Sequence, residues 1–237
     1  MVSTPTVVGT TVFDELDCLC AFDAGTGTLK WSDPFYGQGA PAFARGVVYA
    51  TELRGVVHAV DAATGAVIWT YATGDTIWSQ AAVSGGSVYV GSDDGFVYAL
   101  DAATGELRWK QATGGLVQGG PAVADGVIYA GSDDGSLYAF DASTGTMIWS
   151  AAIGSLGSSS PAVAAGVVYA GTEDGMLVAV DAATGDVLWS YRIDSPPSWD
   201  ASSPIVADGR LYYVGSQVFA FQLASGPSAS ASIPPPQ

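Results

Sequence analysis

The chain has 237 residues, 49% of them hydrophobic and 13% charged, and its 7 basic and 23 acidic residues give a formal net charge of −16. This balance is typical of a globular domain with a sizeable core. The basic residues stand singly from Lys30 to Arg210, which argues against nucleic acid and anionic membrane as partners, because phosphate binding needs a concentrated basic footprint. Gly, Asp or Ser interrupts every apolar run within about ten residues, so no membrane insertion is expected.

The N-terminus, MVSTPTVV, has no basic region followed by an apolar stretch, so no secretory signal is expected in this chain and its compartment stays open. Cys18 and Cys20 follow on a predicted strand and are the only cysteines. On an extended strand their Cα atoms would lie about 6.5 to 7 Å apart, at the upper edge of disulfide reach, which favours two buried thiols. With one His and no further Cys, neither a zinc site nor a haem attachment is expected, and we predict no metal.

From Asp23 onward, a segment of the type Asp-Ala-Ala-Thr-Gly recurs at a fixed period and is followed each time by a Trp, which is the sign of a repeat architecture. The copies begin at Asp23, Asp61, Asp101, Asp141 and Asp181, with spacings of 38, 40, 40 and 40 residues, and the matching tryptophans are Trp31, Trp69, Trp109, Trp149 and Trp189. A degenerate sixth copy, FQLASG, has Gln222 in place of the Asp and no Trp after it.

Each repeat contains short β-branched and aromatic runs separated by turn residues, such as PAVA, VIYAG, SLYAF and TMIWS in the fourth copy. Four antiparallel strands per repeat predict an all-β fold, a six-bladed β-propeller with an incomplete last blade. We expect one domain over residues 1–226, with blades at about 4–37, 38–78, 79–118, 119–158, 159–201 and 202–226, and a Ser/Ala/Pro-rich tail over 227–237.

The segment LYAFDASTGTMIW and its sister copies, preceded by SPAVAAGVVYAG, closely resemble the repeat of the pyrroloquinoline-quinone-like (PQQ-like) β-propellers over nearly the whole chain, from Pro5 to Gly226. That family includes quinone-dependent alcohol dehydrogenases, an outer-membrane assembly scaffold and many sensor-like domains. The resemblance implies that the repeated Asp, Thr, Gly and Trp dock neighbouring blades. It does not choose among these functions.

Residues that differ between repeats cluster in the loop joining the outer strand of one blade to the inner strand of the next, and in this fold those loops ring one mouth of the central channel. Aromatic side chains beside amides and a carboxylate are typical of a ligand pocket. The candidates are Tyr36, Gln38, Trp78, Gln80, Gln118, Trp199 and Asp200. The alternative is that Trp78 and Trp199 only plug the channel.

Two other features have structural interpretations. His58 is unique, but it aligns with Cys20, Tyr98, Tyr138, Val178 and Phe219 on the third strand, which predicts a packed histidine and not a general base. The doublets Asp93-Asp94 and Asp133-Asp134 lack the alternating carboxylates of a calcium loop and predict hairpin turns.

A quinone dehydrogenase is not expected, because Leu19 separates the two cysteines that are adjacent in those enzymes, six repeats are visible where they have eight, and the chain has no Asn for their calcium site. We therefore predict no cofactor and, as the first hypothesis, a non-catalytic scaffold, binding or sensor module for a protein or small molecule. The second is an enzyme that uses Asp200, Tyr36 and Trp199 for acid–base or cation-stabilising work. We further expect a monomeric ring that is closed between the first and sixth blades. In the last blade, SASASI either forms a weak fourth strand or is absent from the sheet. The tip from Pro234 is expected to be mobile.

Overall fold

The computed structural model describes residues 4–15, 18–35, 37, 39–193, 202–214 and 218–223. The chain divides into two compact units, Met1–Ala112 and Thr113–Gln237, each with three blades. The predictions for SASASI and for the tip from Pro234 lie outside the described residues.

The first unit consists of three four-stranded antiparallel sheets, each with its strands in chain order. They are β1 (Thr6–Val8), β2 (Thr11–Asp14), β3 (Leu19–Asp23) and β4 (Leu29–Asp33); β5 (Ala42–Ala44), β6 (Val47–Glu52), β7 (Val56–Asp61) and β8 (Val67–Ala72); and β9 (Ala82–Ser84), β10 (Ser87–Gly91), β11 (Phe96–Asp101) and β12 (Leu107–Ala112).

The second unit has two four-stranded sheets and one sheet with three described strands. They are β13 (Ala122–Ala124), β14 (Val127–Gly131), β15 (Ser136–Asp141) and β16 (Met147–Ala152); β17 (Ala162–Ala164), β18 (Val167–Gly171), β19 (Met176–Asp181) and β20 (Val187–Arg192); and β21 (Ile205–Ala207), β22 (Arg210–Val214) and β23 (Val218–Gln222). The described residues contain no helix and form six antiparallel sheets, of which the last has three described strands, and this all-β, six-bladed propeller class confirms the predicted fold.

Alternating strand directions give each blade two distinct ends. The turn between its second and third strands lies at the same end as the connection to the next blade, which we call the connection end. The turns between its first and second and between its third and fourth strands lie at the other end, which we call the turn end. The first-to-second turns need positive φ, with values of 50° at Asp125 and 78° at Gly126, which explains why Gly stands at the second turn position in five of the six described blades.

The core lies between neighbouring sheets, where the second and third strands are buried. Val88, Val97, Ile128 and Leu137, for example, are fully buried. Since both faces of these strands pack, the sequence runs are nearly continuously apolar instead of alternating, as the prediction of stacked blades requires.

The repeated Asp organises the turn between the third and fourth strands. Oδ1 of Asp61 accepts bonds from the backbone N–H of Ala63 (3.1 Å) and Thr64 (2.9 Å) and from the Thr64 hydroxyl (2.8 Å), as Asx turns do. These bonds stabilise the carboxylate and hold the pKa of Asp61 below its usual range, with the Thr64 hydroxyl contributing most.

The repeated Trp contacts this turn in the following blade. Trp69 Nε1 donates to the Ala102 carbonyl at 3.0 Å, and a methyl group added at Gly105 would lie 2.7 Å from the Trp69 ring. Gly105 has a φ of 75°, so glycine is needed there both for the backbone conformation and for the close approach of the ring. Trp31 contacts the Ala62–Gly65 turn and Trp149 the Ala182–Gly185 turn in the same manner.

The prediction of two free thiols is wrong, because Cys18 and Cys20 form a disulfide with a Cα–Cα distance of 5.5 Å. The estimate assumed an extended strand through both residues, whereas β3 begins at Leu19 and Cys18 lies in a bend before it. The bend brings the Cα atoms inside the usual disulfide range.

Candidate functional site

The connection between β8 and β9, residues 73–81, is fixed to the connection end of the first unit by its backbone. Thr73 N–H donates to the Gly55 carbonyl at 2.8 Å, and Asp93 N–H donates to the Thr76 carbonyl at 2.9 Å. Ser79 is fully buried, and its hydroxyl donates to the Gly91 carbonyl and accepts from the Gly91 N–H, both at 2.9 Å. The loop is therefore a rigid platform for its outward side chains.

Trp78 is the most prominent of these side chains. It is 41% exposed, although its neighbours Ile77 and Ser79 are buried, and its Nε1 donates to Asp93 Oδ2 at 3.0 Å. Because the bond fixes the indole by its polar edge, the apolar faces of the ring are held at the surface. Gln80 is exposed on the same loop and its side chain packs against Gly39, so an aromatic ring, the Asp93 carboxylate and an amide occur together on this surface.

The second Asp of each doublet braces the connection loop. Asp94 Oδ2 accepts the Gly74 N–H at 3.0 Å, and in the second unit Asp134 Oδ2 accepts the Gly114 N–H at 2.7 Å. The predicted hairpin turns are confirmed, since Gly95 N–H bonds the Ser92 carbonyl and Gly135 N–H bonds the Ser132 carbonyl. The sequence interpretation missed that these turns also hold the loops and, through Asp93, the Trp78 ring.

In the second unit, the loop 113–121 presents Leu116, which is 39% exposed, and half-buried Gln118, while Val117 between them is fully buried. In the next connection, 153–161, counting back from Pro161 aligns Leu156 with Leu116, but Leu156 is fully buried. The hydrogen bonds explain the difference: Leu116 and Ser155 carbonyls accept equivalent N–H groups, those of Asp133 and Glu173. Leu156 is therefore the counterpart of Val117.

Glu15 is a buried carboxyl at the connection end of the first blade, and sequence reasoning missed it. Its side chain is fully buried, and neither carboxyl oxygen is hydrogen-bonded to a described residue. Burial raises the pKa of Glu15 to about 8, with Asp14 adding to the rise and the Gly39 amide opposing it. Its register could have revealed it, because Glu15 occupies the strand position held by Gly91, Gly131 and Gly171 in three other blades.

His58 is packed, as its register predicts. Its ring stacks on Phe35 with centroids 4.1 Å apart, and its Nε2 lies 3.2 Å from Glu52 Oε2. These contacts tie β7 to Phe35, next to the segment that carries Tyr36 and Gln38.

Of the seven predicted ligand-binding residues, Trp78 and Gln80 lie on one loop of the first unit, and Gln118 lies on the second unit. Tyr36, Gln38, Trp199 and Asp200 lie outside the described residues. The described ranges contain no group of three or more His, Cys, Asp or Glu side chains arranged to hold a metal ion. Among the same residues, no helix has the length and apolar character needed to cross a bilayer.

Repeated four-stranded blades with an Asp turn, of which the first, second and fourth dock a Trp on the turn of the following blade, define the protein as a repeat β-propeller. Residues 2–75 and 53–232 match the sequence model of a family described as outer membrane protein assembly factor BamB, and the chain belongs to this PQQ-like repeat family.

Several solved structures share the fold. BamB from Moraxella catarrhalis superposes with a TM-score of 0.73 at 23% identity, covering 92% of this chain and 70% of that one. The computationally designed Ika8 protein gives 0.76 at 19% identity, covering 93% and 70%. The quinohemoprotein alcohol dehydrogenase ADHIIG from Pseudomonas putida HK5 gives 0.73 at 18% identity, covering 97% of this chain and only 53% of the enzyme. Identities this low establish the fold alone, and a search of curated protein sequences finds no match.

Proposed function

We propose that this protein is a non-catalytic binding module of the PQQ-like repeat family that holds a protein partner through the loops at the connection end of its blades. The observation that carries the proposal is the Trp78 side chain, 41% exposed and fixed by Asp93 on a loop that its backbone holds rigidly. A large ring held in place at the surface loses little conformational freedom on binding, which is why aromatic residues dominate protein interfaces.

Two further observations support a protein partner. The matched family is described as an assembly factor, and the exposed loop residues Trp78 and Gln80 of the first unit and Leu116 of the second differ from repeat to repeat while the blade framework stays constant. Residues that serve blade stacking have no reason to differ in this way. The enzyme hypothesis depends on Tyr36, Trp199 and Asp200, which lie outside the described residues, and it stays a prediction.

Site-specific photo-crosslinking in the producing cells tests the proposal. A photoreactive phenylalanine at position 80 is expected to give a discrete protein adduct, identified by mass spectrometry, and Trp78→Ala in the same chain should abolish it. The matched control places the crosslinker at Ile68, which is 48% exposed on an outer strand of the second blade. Equal adducts at positions 68 and 80, or an adduct that survives Trp78→Ala in a normally folded protein, would contradict a partner site at this loop.

A further inference from the structure

A cavity of about 560 Å³ lies at the turn end of the first unit, between its second and third blades. It is lined by the first-to-second turns of both blades, which contribute Arg45 and Ser84–Gly86, and by the turn after β11, Asp101–Ala103. Tyr49 and Arg108 complete the polar part of the lining. The volume is within the range of small-molecule sites, and the cavity is at the opposite end of the blades from Trp78.

Arg108 is held in a fixed orientation within this cavity. Its Nη1 donates to the Ser87 hydroxyl and its Nη2 to Asp101 Oδ2, both at 2.7 Å. The same Asp101 accepts turn N–H groups through Oδ1, and the Arg108 bond is the largest cause that lowers the pKa of Asp101 to about 2. A guanidinium carries five N–H groups, so two fixed bonds leave others for a ligand.

Arg45 contributes a second positive charge on the facing blade. Within the described part of the chain it has no ion pair or hydrogen bond, and it is exposed at the rim. Two of the 7 basic residues of a chain with net charge −16 therefore line one cavity. The other walls, Val47, Val83 and Ala44, are apolar.

The other blades show which residues open the cavity. Gly85 occupies the turn position that is Arg45, Asp125, Ala165 and Asp208 elsewhere, and a methyl group added at Gly85 would meet nothing within 4 Å. Arg108 stands where the second, fourth and fifth blades have Ile68, Ile148 and Leu188. In the first blade, Gly9 and Lys30 take these positions, and the Lys30 ammonium bonds Thr11 at 2.8 Å and faces Asp23. A lysine there supplies a point charge without the planar fork of arginine.

We propose that this cavity is a binding site for a small organic carboxylate, with the Arg108 and Arg45 guanidinium groups binding the carboxylate and Val47, Val83 and Tyr49 packing against its apolar body. Arginine matches carboxylate geometry with paired N–H donors, and the adjacent apolar walls favour an organic acid over an inorganic anion. The site is independent of the proposed partner surface at the connection end, and either can fail without the other.

The test is calorimetric titration of the full chain with benzoate and hexanoate, each compared with its neutral amide, and with inorganic phosphate. We expect the carboxylates to bind with a Kd on the order of 1 mM or tighter, as their size allows, and the amides and phosphate to bind at least about tenfold more weakly. Arg108→Ile and Gly85→Asp should each weaken carboxylate binding by about tenfold or more, the effect of losing one charge-assisted hydrogen bond or adding one repulsive charge.

The repeat supplies matched controls for folding. Ile and Asp occupy the equivalent positions in other blades, so both variants are compatible with the blade, and thermal unfolding verifies this directly. Gly85→Ala, which copies Ala165, and Lys30→Ile in the first blade should bind as the parent does. Four results would overturn the proposal: equal binding of acid and amide, a preference for phosphate, full binding by Gly85→Asp, or no carboxylate binding at a ligand concentration of about 10 mM, tenfold above the expected Kd.

Discussion

Between the end of a blade's second strand and the connection to the next blade lies a buried space, here called the slot. The first and fourth blades fill this slot from opposite sides. In the fourth blade the strand contributes Gly131 and the connection contributes Leu156, and a methyl group added at Gly131 would lie 2.3 Å from Leu156 Cδ2. In the first blade the strand contributes Glu15 and the connection contributes Gly37, and a methyl group added at Gly37 would lie 2.6 Å from Glu15 Oε2. The repeat therefore conserves the filled volume and not the residue that fills it.

The two solutions differ in polarity. Leu156 buries only carbon, whereas Glu15 places a carboxyl group where no described residue hydrogen-bonds to it. An ionised carboxylate is costly in such a site, so the folded protein favours the neutral acid. The first blade consequently carries a pH dependence that the fourth lacks.

The largest expected effect is on stability against pH. The pKa of Glu15 lies near its ordinary value of 4.5 when the protein is unfolded and at about 8 when it is folded, so the folded state binds the additional proton between these values. Its contribution to the free energy of unfolding is full below about pH 4.5, falls as pH rises toward 8, and changes no further above that. Since one pKa unit corresponds to about 1.4 kcal/mol, the fall amounts to several kcal/mol. Urea unfolding from pH 5 to 9 measures it.

Glu15→Gln separates this effect from that of other groups. The amide does not ionise in this range, so the slope of stability between pH 5 and 8 should flatten even if the variant is less stable at every pH. Asp14→Asn removes only the smaller contribution of the neighbouring charge to the raised pKa of Glu15, so it should keep most of the slope. An unchanged slope in Glu15→Gln would show that the carboxyl is not the source.

Leu156→Ala tests the apolar solution. Leu156 is fully buried, so its truncation is expected to cost about 3 kcal/mol of unfolding free energy from lost burial and the cavity left behind. Leu116→Ala is the matched control, because that side chain is 39% exposed and should cost less than about 0.5 kcal/mol. Similar losses of unfolding free energy in the two variants would mean that Leu156 is the counterpart of Leu116, as counting back from Pro161 gives, and not of Val117, as the hydrogen bonds give.

A double-mutant cycle tests whether strand and connection share one slot. Gly131→Ala alone should cost about 2 kcal/mol through overpacking against Leu156. In a Leu156→Gly background the same substitution should cost nothing or stabilise, giving a coupling energy of about 2 kcal/mol. Gly25→Ala, where the sister copies have Ala63, Ala103 and Ala183, controls for the general effect of replacing glycine and should be neutral or slightly stabilising. Additive costs at positions 131 and 156 would refute the shared slot.

The fold could be predicted from the sequence because every blade repeats the residues that make it. The Asp turn, the Gly at positive φ and the docking Trp each recur near a forty-residue period, so each copy supports the interpretation of the others. The departure of the last repeat from the others is also visible in the sequence, since Gln222 replaces the Asp and no Trp follows it.

The candidate site was predicted less completely, for local reasons. Trp78 could be placed on its loop, but its bond to Asp93 depends on side-chain direction across two segments that periodicity does not fix. Counting back from Pro161 misaligns Leu156 because two connections differ in length. The connection with Leu156 has fewer residues before Ser155, and more after it, than the other connection has before and after Leu116, the counterpart of Ser155. The disulfide was missed because the backbone bends at Cys18.

The smallest effect concerns the second blade, which fills the slot in a third way. Thr51 takes the position of Glu15 and Gly131, and its hydroxyl donates to the Ser79 carbonyl at 2.9 Å in a fully buried setting. Thr51→Val keeps the shape and removes the donor, so it should cost about 1 kcal/mol because the carbonyl loses a partner. Since Ser79 also binds Gly91 N–H, hydrogen exchange at Gly91 should accelerate at least in proportion to the global loss. Thr76→Val, at an exposed hydroxyl that among the described residues bonds only its neighbour Asp75, should leave both stability and Gly91 exchange unchanged. If Thr51→Val is as stable as the parent, the hydroxyl does not anchor the loop that carries Trp78.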